Sequence, residues 1–385
     1  MSAMSITHCR RLAVALAALL LGPACDKKEQ SETESVADKG DAKAGSALDP
    51  SLAEAVAAAS PGMQRGPAPA VKNGEGPPPN GVFAPGEADR QMPKSGAPKI
   101  TLGGTGSPPL VDLSSAKFAV GWKRQGKIQL VIQSDPRQGA LPLDFSVVAE
   151  LLKPKNPEPG AAQPAGVQPG AAEPKSNVGP MTLRLRIERA RVAKAGGAGE
   201  LDSDLAKMTG SRIEYEIAPN GVGSGYRYEL AKGANAALSD LMRSLTEVMA
   251  TVTLPFPEAP IGSGGLWMAT TRDDVRGLDL VSYRLTKVTG VSGQTAELEL
   301  NTKRYATGVD FTMPGVEAGT KLTLDQFQST ADGSLRSEVG LPVPVEAKIA
   351  LTLQAVVVPE AQPNQRLTVQ AQTRATLSFA PPTTP

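Results

Sequence analysis

Side chains able to do covalent or metal chemistry are scarce in this chain. Of 385 residues, one is histidine, His8, and two are cysteines, Cys9 and Cys25. His8 and Cys9 fall within a segment shaped like an export signal. Met1 to Arg11 carries Arg10 and Arg11 and no acid, Leu12 to Leu21 is wholly apolar, and Gly22-Pro23-Ala24 follows. That apolar run is too short to cross a bilayer as a helix. Removing residues 1–24 leaves no histidine and one thiol, Cys25. Ser-His-Asp and Cys-His catalysis, zinc and copper centres of the usual ligands, and an internal disulfide then all drop out. The expectation is a protein with no catalytic residues, no metal and no cofactor.

The remaining motifs are weak. Ser114-Ser-Ala-Lys117 has the Ser-x-x-Lys spacing of penicillin-recognising enzymes. That chemistry needs the serine at a helix start, whereas this motif leads into a strand pattern and lacks the companion Ser-Asp-Asn and Lys-Thr-Gly motifs. Gly221-Val-Gly-Ser-Gly225 and Gly262-Ser-Gly-Gly265 are rich in glycine, yet neither precedes Lys-Ser or Lys-Thr. They read as turns that need positive φ rather than as phosphate cradles. Asp202-Ser-Asp204 reads as a helix start and Asp273-Asp274 as a hairpin tip, and neither has the ligand density of a calcium loop. Without Arg10 and Arg11 the 40 Lys and Arg become 38, against 39 Asp and Glu. Such a balance argues against a nucleic-acid partner.

The elements that position these residues are mostly strands. Residues 143–151, 181–187, 345–357 and 367–379 alternate apolar and polar side chains, as in antiparallel sheets with one dry face. Further strands are expected at 116–122 and 127–133 around a Gln125-Gly126 turn. Others are expected at 213–217, 226–230, 266–271, 278–287, 295–304, 321–328 and 335–339. Asn220-Gly221 and Asp332-Gly333 suggest a duplicated hairpin. One long helical pattern interrupts them, from Ala236 to Val252. Leu238, Leu241, Met242, Leu245, Val248, Met249 and Val252 line one face, and Ser239, Asp240, Arg243, Ser244 and Glu247 the other. Asn235 is placed to cap it, and Pro255 and Pro257 to stop it. The predicted fold is mainly β, of α+β type. It is a large curved antiparallel sheet or half-barrel packed on one amphipathic helix, spanning residues 110–380. Trp267 is expected in the core against that helix. The other reading puts Trp267, Leu238, Leu241, Met242, Leu245 and Met249 around an apolar ligand, with the helix as a movable plug.

Outside that domain the composition changes. Residues 26–48 have almost nothing to bury, and 61–109 are rich in Pro and Gly. Residues 25–109 are therefore expected to be a disordered tether, with two marginal helical turns at 49–59. A Pro-rich insertion with the repeat Pro-Gly-Ala-Ala occupies 153–179 and reads as an expanded hairpin loop.

Cys25 follows an apolar run and small residues, and so resembles the lipobox of bacterial lipoproteins, in which that cysteine is acylated and becomes the N-terminus. Gly22 stands where the pattern has Leu, and Pro23 is unusual there. The alternative is ordinary cleavage after Ala24. The stretch Leu254-Pro-Phe-Pro-Glu-Ala-Pro-Ile-Gly-Ser-Gly-Gly-Leu-Trp267 follows the helix and precedes a strand meander. Over about residues 210–379 this resembles a family of bacterial lipoproteins built on a domain of unknown function. The resemblance implies an exported β-rich domain and no activity. The expected address is the cell envelope, anchored by lipid on the periplasmic face of the outer membrane. Two roles are expected to compete. One is a non-catalytic lipoprotein that binds or scaffolds an envelope partner, and the other is a half-barrel carrier of a lipid or other apolar ligand.

Overall fold

The computed structural model describes residues 77–94, 96–114, 118, 120–133, 139–153, 180–193, 199–235, 238–275, 278–311 and 321–380. The signal, Cys25, the helical turns at 49–59 and nearly all of the 153–179 insertion lie outside these residues.

The alternating segments form strands, as their patterning requires. In chain order they are β1 (Lys99–Gly104), β2 (Ser107–Val111), β3 (Lys123–Gln133), β4 (Leu141–Leu152), β5 (Met181–Val192), β6 (Arg212–Ile217) and β7 (Gly223–Glu229). Then come β8 (Ile261–Ser263), β9 (Leu266–Val275), β10 (Leu278–Ser292), β11 (Thr295–Ala306), β12 (Asp310–Phe311), β13 (Leu322–Glu338), β14 (Glu346–Pro359) and β15 (Leu367–Phe379). The helices are α1 (Glu87–Gln91), α2 (Gly199–Ala206) and α3 (Ser239–Val252).

One antiparallel sheet runs in the order β1-β9-β10-β11-β13-β14-β15-β3-β4-β5-β6-β7, with β12 paired to β13 beside this path. Two meanders are thus joined where the last strand, β15, pairs with β3 (Phe379 opposite Gly126). Among the described residues the sheet ends at β1 on one side and at β7 on the other, and it does not close into a barrel. It does curl. Tyr226 of β7 and Asp273 of β9, from opposite ends of the strand order, line one cleft. A sheet of this width is expected to curl.

The apolar parity of nearly every long strand faces the concave side, and α3 lies within that side. Its seven predicted apolar positions are all buried. The opposite face differs from expectation, because Ser244 and Glu247 are buried as well. A curled sheet surrounds a helix on more than one side, so even its polar stripe meets strands. Asn235 does not cap α3. Leu238 holds the N-cap position with no side-chain bond, and Asn235 Oδ1 is buried with no partner among the described residues. The helix stops at Thr253, two residues before Pro255, and the Thr253 N–H donates to the Met249 carbonyl.

Two predicted turns are strand interiors. Gln125-Gly126 lies within β3, where a Cβ on Gly126 would stand 2.5 Å from the Phe379 ring. Asp332-Gly333 lies within the 17-residue β13, so the segments 321–328 and 335–339 are one strand and no duplicated hairpin exists there. A Cβ on Gly333 would meet the Lys348 carbonyl at 2.4 Å. Both glycines serve close approach across a strand pair rather than chain reversal. The expected strand at 116–122 is also absent from its described part, where residues 120–121 form a turn.

The largest correction concerns the expected tether at 25–109, since residues 77–94 and 96–109 belong to the described structure and include α1, β1 and the start of β2. Pairing of β11 with β13 ends at Arg304 opposite Ser329. Beyond it the segment Asn80–Phe83 enters between the two strands. The Phe83 N–H donates to the Ala306 carbonyl at 2.8 Å, the Ala306 N–H to the Gly81 carbonyl at 2.9 Å, and the Phe327 N–H to the Asn80 carbonyl at 2.9 Å. Gly81 has φ +80° and sits so close to Phe327 that a Cβ would overlap its carbonyl oxygen. From there the chain crosses the convex face. Phe83, Ala88 and Met92 pack on Val281, Tyr283 and Tyr305, and β1 then extends the sheet beside β9. A Pro- and Gly-rich composition reads as a linker, but here the order comes from backbone hydrogen bonds to strand edges, which composition does not report.

Candidate functional site

The six residues expected to form a plug or apolar ligand face are brought together, and they are packed. Leu238, Leu241, Met242, Leu245, Met249 and Trp267 are each no more than 5% exposed and belong to one hydrophobic cluster. Trp267 lies in the core, with its indole Nε1 donating to the Pro255 carbonyl at 2.9 Å and its ring beside Phe256. The motif from Leu254 to Trp267 is thereby explained as structure. Leu254 and Ile261 are buried, and Gly262 lies where a Cβ would meet the Ser107 carbonyl at 2.0 Å, across the β2–β8 pair.

Sequence reasoning missed the charged groups inside this core. On β10 the inward positions are Leu280, Ser282, Arg284, Thr286 and Val288, all buried. On β11 they include Leu300, Thr302, Arg304 and Ala306, also buried. The available signal was parity, because both arginines occupy positions that alternation assigns to the dry face. Arg304 reaches α3, with Nη1 2.8 Å from Glu247 Oε1 and Nη2 2.8 Å from Thr251 Oγ1. Arg284 Nη1 donates to the carbonyls of Ala250 (2.9 Å) and Thr253 (3.1 Å) at the helix C-terminus, where a cation complements the macrodipole. Its Nη2 is 2.8 Å from Asp273 Oδ2. Two guanidinium groups therefore clamp the last two turns of α3 to the sheet.

Electrostatics around the clamp are strongly coupled. Burial alone would raise the Asp273 pKa. Its attraction to Arg284, with smaller contributions from Ser282 and Arg304, outweighs burial and holds the carboxyl below its ordinary value. Arg284 is correspondingly raised, the nearby Asp273 charge outweighing the effect of burial. Tyr226 stacks on Tyr215 at 4.6 Å, and burial pushes its hydroxyl up to about 12. Asp273 is thus an internal ion-pair partner rather than an exposed hairpin tip. Of the Asp202 and Asp204 cluster, Asp202 accepts from the Val192 N–H and Asp204 pairs with Lys207.

Two hollows are relevant. A polar cleft of about 270 Å³ opens beside the clamp, lined by Lys94, Tyr226, Thr253, Arg272, Asp273 and Arg284 among others. A larger, open hollow of about 740 Å³ lies where Pro77–Gly81 crosses β11, β13 and β14, with Gln326, Gln328 and Gln354 on its walls. Lys303 lines it too, and burial lowers its pKa. Among the described residues no group of three or more His, Cys, Asp or Glu could hold a metal ion, and no helix is long and apolar enough to cross a membrane. No protein-family model matches the chain, and no curated protein matches it.

Proposed function

We propose that the protein is a non-catalytic lipoprotein of the bacterial cell envelope. In this reading it is tethered through Cys25 to the periplasmic face of the outer membrane, and its folded domain binds or scaffolds an envelope partner through its outer surface. The observation that carries the binding-or-scaffolding role is the filled concave face. Leu241, Leu245 and Met249 occupy the space that a carrier would reserve for an apolar ligand. Arg284 and Arg304 bond α3 to the sheet, which opposes its movement as a plug. The signal-shaped segment before Cys25 and the resemblance of residues 210–379 to envelope lipoproteins support the address.

The test is mass spectrometry of the full chain recovered from bacterial envelopes. A fragment beginning at residue 110 is unsuitable, because it would lose β1 and the Asn80–Met92 crossing. Under denaturing conditions the wild type is expected to carry an acyl modification that Cys25→Ala lacks, and an unmodified Cys25 would refute the anchor. Under native conditions Cys25→Ala is expected at its apo mass. A reproducible adduct of lipid mass, lost in Leu245→Trp, would instead establish the carrier.

A further inference from the structure

The convex face of β3–β7 carries charge in a regular order that breaks at one row. Lys123, Glu150, Arg184, Glu214 and Arg227 stand opposite one another across the five strands, with alternating sign. Arg184 bonds Glu150 at 3.1 Å and Glu214 at 2.8 Å, and Arg227 bonds Glu214 at 2.7 Å. Opposite-charge pairs of this kind stabilise a sheet. A row nearer the other end sets Gln129, Asp144 and Arg191 side by side, with Arg191 3.3 Å from Asp144. In the row of Gln125 and Val148, Arg186 is matched along its own strand by Glu188 at 2.6 Å. The remaining row is Lys127, Ser146 and Arg189. Here β4 supplies a serine between two cations, and among the described residues neither cation has an acidic partner.

Backbone geometry brings Arg189 to that row. Ser146 faces Arg189 while Val147 faces Ile187, so Glu188 is an extra residue in β5. The bulge leaves Glu188 and Arg189 both exposed, between the buried Ile187 and Ala190. Bulges re-aim side chains in this way and are frequent beside functional sites. The short Ser146 side chain leaves a hollow of about 330 Å³, within the size range of small-ligand sites, walled by Lys127, Gln129, Asp144, Ser146, Arg189 and Arg191 among others. Three cations against one carboxylate give it a surplus of two positive charges. Lys127 and Arg189 each lie one strand from Ser146, so their backbones are about 10 Å apart and both long side chains can reach a group held over the serine. A tetrahedral dianion fits that surplus. Its oxygens accept from an arginine fork, an ammonium and a hydroxyl on different sides, whereas a carboxylate brings one charge and one edge.

We infer that this hollow binds a phosphate monoester, whose phosphate group takes the place of the missing acid between Lys127 and Arg189, above Ser146. The ester can be a lipid headgroup or a soluble molecule, since the recognised group is the same. The inference does not depend on the envelope address or on the choice between scaffold and carrier.

The experiment is calorimetric titration of the full chain carrying Cys25→Ala, so that no acyl chain contributes, with glycerol 1-phosphate, inorganic phosphate and acetate. It is run at about pH 8, where both phosphates are dianions. Both are expected to bind saturably at one site, and acetate is not. Lys127→Gln and Arg189→Gln are each expected to weaken glycerol 1-phosphate binding by roughly two- to fivefold, as for exposed charges. Ser146→Asp puts a carboxylate into the row and is expected to abolish binding without lowering Tm. Should Ser146→Asp unfold, the two glutamine variants, at exposed positions, carry the test. Vesicles decide the source. Sedimentation with phosphatidic acid but not with phosphatidylcholine, reversed by glycerol 1-phosphate, assigns a lipid headgroup, and binding of glycerol 1-phosphate without sedimentation assigns a soluble ester. The inference is overturned if neither phosphate binds, if acetate binds as tightly as they do, if folded Ser146→Asp binds as the wild type does, or if both glutamine variants do.

Discussion

Glu247→Ala removes one half of the most deeply buried ion pair among the described residues. The two side chains are 7% and 1% exposed, and Nη1 of Arg304 lies 2.8 Å from the carboxylate. Truncating Glu247 leaves a guanidinium in the core whose Nε has no acceptor among the described residues and whose Nη2 keeps the Thr251 hydroxyl. Breaking a buried pair from one side costs about 3–5 kcal/mol, because the surviving charge keeps its desolvation penalty without its partner. For a domain of this size each kcal/mol corresponds to roughly 2–4 °C, so a fall in Tm of ~6–20 °C is expected. The companion variant, Glu247→Leu with Arg304→Met, removes both charges and keeps apolar volume. It is expected to recover most of the loss, since a well-packed apolar pair is often as stable as a buried ionic one. Urea unfolding of wild type, Glu247→Leu, Arg304→Met and the double variant closes the cycle. A Glu247→Ala cost below about 1 kcal/mol would refute the argument, since it would mean that water already reaches Arg304. A double variant no better than the single one would equally refute it, by showing that the loss lies in packing rather than in charge.

Leu245→Ala should destabilise by roughly 2–5 kcal/mol in the same assay, because the side chain is 1% exposed at the centre of the α3 face; a near-neutral effect would mean that the helix is loosely held. Acid should destabilise the domain through Asp273, Asp279 and Glu214, whose pKa values are all lowered on folding. Their contribution is fully present above the ordinary values of 3.8 for Asp and 4.5 for Glu and is lost as pH falls through the lower folded values. A Tm unchanged between roughly pH 6 and pH 3 would contradict this. Hydrogen exchange should find the amides of Phe83 and Ala306 protected to a similar degree, since each donates within the Asn80–Phe83 crossing; fast exchange at Phe83 would show that the crossing detaches independently of the sheet.

How much of this was legible in the sequence depends on which physical signal each element carries. Alternation gave the strands, and the spacing of Leu238 to Val252 gave the helix and its burial, because side-chain period and apolar contact are the same fact seen twice. Glycine carried two meanings. At Gly221, with φ +79°, it makes the predicted turn, whereas Gly126 and Gly333 clear space for Phe379 and for the Lys348 carbonyl. Only a neighbour distant in sequence separates the two cases. Arg284 and Arg304 sat at inward positions, but parity alone did not identify Glu247, Thr251 and Asp273 as their partners. The cleft was less legible still, since its walls come from residues near 94, 226 and 273–284 and meet only once the sheet has curled.

The crossing of Asn80–Phe83 between β11 and β13 also sets how the domain bears load. A chain that leaves a sheet from an edge strand transmits a pull as peeling, one hydrogen bond at a time. Here tension arriving from the N-terminal side reaches Asn80 and Gly81, whose carbonyls are bonded to Phe327 on one strand and Ala306 on the other. The pull is shared by two interior strands, each paired along its length to further neighbours, and several bonds must yield together before the sheet opens. Tension applied at Pro77 therefore falls first on this crossing and not on the edges β1 and β7.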